Sequence, residues 1–83
     1  MSIEHTKERR ALVTAMDAER ALQNMTGPEC VTYAQSAIMD TQAQLGRLSG
    51  LTQNTLRAFK EGKRPTAAQR AALCWAIFRR WAP

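Results

Sequence analysis

Histidine occurs once in this 83-residue chain, cysteine twice, proline three times and glycine four times. A single histidine, His5, leaves little for acid–base catalysis. There is no Gly-x-Ser-x-Gly turn, no phosphate-cradling glycine loop and no histidine–carboxylate set, so an enzyme is not expected. Cys30 and Cys74 are too few for a disulfide framework. Together with His5 they miss zinc-site spacing, so they read as small core hydrophobes, with no metal and no cofactor expected. The methionines, at 1, 16, 25 and 39, read as core or terminal residues. The scarcity of glycine and proline excludes collagenous and disordered tracts. Alternating β-branched runs and Asn-Gly or Asp-Gly hairpins are missing, which argues against strands. No apolar run approaches the roughly 18 residues of a membrane span, and the first residues lack the basic and apolar regions of a signal peptide. The expectation is a single soluble, cytoplasmic domain with no membrane partner.

Charge is unevenly placed. The net charge is +5. Residues 1–40 carry four basic and six acidic side chains, whereas residues 41–83 carry eight basic side chains against Glu61 alone. The positive field therefore lies in the second half, which suggests a polyanionic partner, nucleic acid first. The alternative is a solvated surface that happens to be basic.

Helix punctuation is abundant. A first helix is expected over about 4–25, where Ala11, Ala15, Ala18, Leu22 and Met25 make an apolar stripe with Leu12 and Met16 beside it. Thr26-Gly27-Pro28-Glu29 ends it and starts a second helix over about 28–39, burying some of Val31, Tyr33, Ala34 and Ile38. Thr41-Gln42-Ala43-Gln44 has the spacing of a capping box and opens a short helix over about 42–48. Ser49-Gly50-Leu51 fits only a tight turn, and Thr52 caps another short helix over about 53–60. After the basic loop 61–65, Thr66-Ala67-Ala68-Gln69 is a second capping box, starting a helix that reaches about Trp81. The fold class is all-α: about five helices in a compact bundle, divided into an N-terminal amphipathic helix (1–27), a helix-turn-helix core (28–65) and a C-terminal helix (66–83).

Two short helices joined by a three-residue glycine turn read as helix-turn-helix. Gly46 is small where the helices cross, so Gly46→Ala is expected to be neutral or stabilising. Leu45, Leu48, Leu51 and Leu56 hold the second helix down, leaving Gln53, Asn54, Arg57 and Lys60 exposed. Gln and Asn amides suit an adenine edge and Arg suits guanine, so Gln53, Asn54 and Arg57 are the expected base contacts.

The stretch from Thr41 to Arg57 resembles the helix-turn-helix of the lambda-repressor-like Cro/C1 (XRE) regulators. Lys60-Glu61-Gly62-Lys63-Arg64-Pro65-Thr66 is similar to the segment that follows the recognition helix in that family. The resemblance covers roughly residues 28–81. It implies a helical bundle that binds operator DNA, usually as a dimer, and represses transcription. It implies that Gln42 meets a phosphate and that Lys63 and Arg64 hold the DNA backbone. Arg47, Thr52, Thr55 and Lys60 complete the expected backbone contacts. Gly46 stands where the family usually has Ala, and Asp40 where many members have an apolar residue or Gly.

The last helix is apolar over most of its circumference, so it needs cover on two sides. One expectation is a homodimer through Trp75, Phe78 and Trp81; the other is that the N-terminal helix folds back over Trp75 and Phe78. The chain is thus expected to be a homodimeric repressor of a phage, plasmid or other mobile element, acting on a palindrome with half-sites about 34 Å apart. The rival is an antitoxin-like module that sequesters a partner protein and also binds DNA. A second regulator is a further possible partner.

Overall fold

The computed structural model describes residues 3–82, with side chains from residue 6 on. The helices are α1 (Ile3–Leu22), α2 (Gly27–Ile38), α3 (Gln42–Ser49), α4 (Gln53–Lys60) and α5 (Ala67–Trp81), and no strand occurs among the described residues.

Four of the five helices start in the same way. Thr26, Thr41, Thr52 and Thr66 are each extended, and each hydroxyl accepts the backbone N–H three residues on, at Glu29, Gln44, Thr55 and Gln69. Such a cap satisfies one of the helix's orphan donors and contributes about 1 kcal/mol. Thr66 and Gln69 close the expected capping box. Thr41 and Gln44 close only half of theirs, because Asp40 Oδ1 takes the Thr41 N–H at 2.7 Å. Thr26 and Glu29 form a full box that the sequence reading passed over, although Thr-x-x-Glu is its signature.

The first two helices end earlier than expected. α1 stops at Leu22, and Asn24 and Met25 turn the chain through bonds to Ala21 O and Leu22 O. That turn brings the Leu22 and Met25 carbonyls over the buried Cys30 thiol, whose Sγ lies 3.7 and 3.9 Å from them. α2 stops at Ile38 because Met39 takes the left-handed conformation (φ 54°), with its N–H on Gln35 O and Ser36 O. Met39 and Met16, expected at core or terminal positions, are both exposed.

The core is built from Ala18 and Leu22 of α1; Cys30, Val31, Ala34 and Ile38 of α2; Leu45 of α3; Leu56 and Phe59 of α4; and Leu73, Ala76 and Ile77 of α5. α1 lies along α5, so the N-terminal helix does fold back. The cover is partial. Trp75 remains 53 % exposed, stacked on Phe78 with ring centroids 5.5 Å apart. Leu12, Ala15, Met16, Cys74, Trp75 and Phe78 line a shallow apolar groove between the two helices.

Trp81 is not part of that groove. Its Nε1 donates to Ala37 O at 2.8 Å, and the Arg80 guanidinium lies over its ring. Arg80 Nε donates to Ile38 O at 3.0 Å and Arg79 Nη1 to Leu48 O at 3.2 Å. Three consecutive side chains of α5 thus cap the carboxyl ends of α2 and α3, where carbonyls lack intrahelical donors.

Gly27 is more than a helix breaker. A Cβ there would fall on the backbone carbonyl oxygens of Phe59 and Lys63. The first turn of α2 therefore rests directly on the end of α4. Gly27→Ala should destabilise by about 1–3 kcal/mol through overpacking, seen as a lower denaturant midpoint.

Glu29 gives the fold a pH dependence. The Thr26 N–H, and with it the Thr26 side chain, holds this carboxyl below the usual carboxylate range. A lowered folded pKa means stability that is present above the ordinary Glu value and lost as pH falls through the folded one. Urea titrations on acidification should show that loss, and Glu29→Gln should flatten it, since its amide oxygen still accepts but does not titrate.

Candidate nucleic-acid interface

α3 and α4 are eight residues each, too short to be stable alone, so packing decides which face each shows. Leu45, Leu56 and Phe59 are fully buried, and Leu48 and Leu51 pack against the same core. Gly50 caps α3 with φ 78°, the left-handed region that glycine enters without steric cost. Thr52 then caps α4. With Leu56 and Phe59 pinned inward, Gln53, Asn54, Arg57 and Lys60 are exposed, as the sequence reading requires.

The amides at the start of the two helices are joined. Gln42 Nε2 donates to Gln53 Oε1 at 3.1 Å, and Gln53 Nε2 donates to Gln42 O at 3.2 Å. Gln42, expected at a phosphate, thereby also holds the side chain expected at a base. Lys60 Nζ donates to Gln42 Oε1 at 3.2 Å. The Thr52 and Thr55 hydroxyls lie 2.9 Å apart and share one hydrogen bond, so only one hydroxyl proton of the pair is left for an outside acceptor.

Arg47, Asn54, Arg57, Lys63 and Arg64 are exposed, and their side chains make no hydrogen bond or ion pair among the described residues. The only acidic side chains between 40 and 82 are Asp40 and Glu61. The other arginines of the second half each give an N–H to a backbone carbonyl: Arg70 Nη1 donates to Pro65 O at 3.1 Å, and Arg79 and Arg80 cap helix ends. The cations with no internal partner among the described residues are thus those of the helix-turn-helix and the loop after it.

Burial pushes both the Cys30 and the Cys74 thiols up, and the neighbouring Glu19 adds to the effect at Cys74. No group of three or more metal-ligating side chains occurs among the described residues; the side chain of His5 lies outside them. No described helix is long and apolar enough to cross a membrane. No family model, curated protein or solved structure matches this chain.

Three features of this site are not legible in local sequence. One is the Gln42–Gln53 pair, although both residues begin adjacent helices. Another is the bond from the Lys60 ammonium to Gln42. The third is the side chain that packs on Gly46 where the two helices cross. A Cβ on Gly46 would land on the Gln53 amide and lie 3.1 Å from Leu51 O. Gly46 makes room for that amide rather than only for the helix crossing.

Gly46→Ala should therefore not give the stabilisation of about 1 kcal/mol that helix propensity alone would supply. The Gln53 side chain must leave, losing its two bonds to Gln42, and the Leu51 carbonyl must yield slightly. Chemical denaturation should show no gain in stability, and a crystal structure of the variant should show the Gln53 amide displaced.

Proposed function

We propose that this chain is a sequence-specific, duplex-DNA-binding transcriptional repressor of the lambda-repressor-like type that acts as a homodimer on a palindromic operator. One observation carries the reading. An α4 anchored by Leu56 and Phe59 leaves Gln53, Asn54 and Arg57 exposed, and Arg47 of the adjoining α3 and Lys63 and Arg64 of the loop after α4 are exposed with no internal partner among the described residues. A helix that projects amides and a guanidinium from a rigid mount fits the major groove, where these groups distinguish base pairs. The surrounding cations supply affinity and register through phosphates.

The dimer rests on the partly covered α5. The half-exposed Trp75 stacks on the partly buried Phe78 beside Leu12 and Met16, and a second copy would remove this surface from water. Trp81, bonded to Ala37 O, serves its own chain instead. The same groove supports a second reading, that of an antitoxin-like module whose groove takes a segment of a partner protein.

Selection from a random duplex pool tests the first reading directly. It should return a palindrome with half-sites about one helical turn apart. Log affinity for that site should fall linearly with log salt, at about −0.9 per phosphate neutralised, and Lys63→Ala should reduce the slope without changing the preferred sequence. A pool that returns no sequence, or an affinity indifferent to salt, would sink the proposal. Sedimentation of Trp75→Ala should show more monomer than the wild type; a wild type that is monomeric at high concentration leaves the groove to the second reading.

A further inference from the structure

α1 has a face that the rest of the described chain does not cover. Leu12 and Met16 are each 52 % exposed. With Trp75 and Phe78 of α5 they form the middle of the apolar groove, which Glu19 borders at one end and Arg9 at the other. Arg9 and Glu19 are exposed, and neither makes a hydrogen bond or ion pair among the described residues.

The order of these four α1 residues is symmetric along the helix. Leu12 lies two residues before Thr14 and Met16 two after it; Arg9 lies five before and Glu19 five after. Positions 9, 12, 16 and 19 follow one another at spacings of three and four, so they share one face. Two such helices laid antiparallel, with their Thr14 levels aligned, bring each residue level with one that complements it. Leu12 meets the partner's Met16 and Arg9 meets the partner's Glu19, and two-fold symmetry makes each contact twice. By the same count Glu8 comes level with Arg20, while Lys7, Arg10 and Asp17 come level with alanines. No like charges are opposed.

Charge also favours this side for a joint between copies. Each copy carries a net charge of +5, and like fields repel. α1 holds four basic and four acidic side chains, so a joint there opposes no net charge. A foreign segment would need its own match to this face, whereas a second copy has the match by symmetry. We propose that α1 sets the register of the homodimer: two copies join antiparallel through this face, with Arg9 of each paired to the partner's Glu19 on either side of a Leu12–Met16 centre. This assignment rests on the reading of the chain as a homodimer and names the surface by which the copies recognise each other.

The experiment combines charge reversal with sedimentation equilibrium of the full chain. Arg9→Glu alone opposes carboxylates at both contacts, and Glu19→Arg alone opposes cations at both. Each should raise the dimer dissociation constant about fivefold or more at low salt. The difference should shrink at about 1 M salt, where such charges are screened. Both reversals in one chain should restore the wild-type value. An equimolar mixture of the two single variants should also recover the dimer, because their heterodimer joins opposite charges at both contacts. Both positions are exposed, so helix content and the denaturant midpoint should stay near wild type. A wild-type dimer whose affinity is indifferent to both reversals overturns the register and leaves the homodimer reading standing. Reversals that weaken the dimer without rescuing each other overturn the register as well. A wild type that is monomeric at high concentration overturns both, and leaves the groove to a segment of another protein.

Discussion

Eight residues of helix do not hold their shape in water. Everything on the candidate DNA-facing surface depends on how α4 is held from behind. Leu56 and Phe59 are both fully buried, and between them they fix the rotation of the helix about its axis. Gly27 fixes its depth, because the first turn of α2 lies against the Phe59 and Lys63 carbonyls with no space for a Cβ. Thr52 fixes where it begins. The exposed amides and cations inherit their geometry from these contacts rather than from any preference of their own.

The ends of α2 and α3 are held in a comparable way by the last turn of α5. Arg79, Arg80 and Trp81 each carry a donor to a terminal carbonyl. Two of these are arginines that a sequence count assigns to a positive field. Each guanidinium gives one of its N–H groups to the protein itself, which fixes where the charge sits and leaves fewer donors for an outside partner. The contrast with Arg47, Arg57, Lys63 and Arg64 turns a diffuse basic half into a local basic surface.

Much of the fold was legible because its signals are local. Threonine caps, a glycine turn and apolar spacing each act within one turn of helix, and they placed α3 and α4 within one residue of where they lie. The misses are of another kind. Gly27 reads locally as a helix breaker, and only the passage of α4 beneath it reveals a contact between backbones. Met39 ends α2 in a left-handed conformation that local sequence reserves for glycine or asparagine. The side chain of Trp81 lies on the apolar face of its own helix in a sequence reading, yet its indole N–H is claimed by a helix 44 residues away. At the site, the residues were legible but their mutual bonds were not. Gln42, Gln53 and Lys60 are 11 and 18 residues apart from one another in pairs with Gln42, and no periodic pattern links them.

The pairing of α1 with α5 has a consequence for how the chain folds. The most extensive helix contact joins the first helix to the last, so the helix-turn-helix is enclosed within a single large loop of chain. Closing that loop costs entropy that the local helix caps cannot repay. Most small helical bundles fold quickly because their contacts are local; here the decisive contact is the most distant one available. Among the described helices α1 is made first and α5 last, so during synthesis the apolar side of α1 waits uncovered until α5 brings its tryptophan and phenylalanine to it.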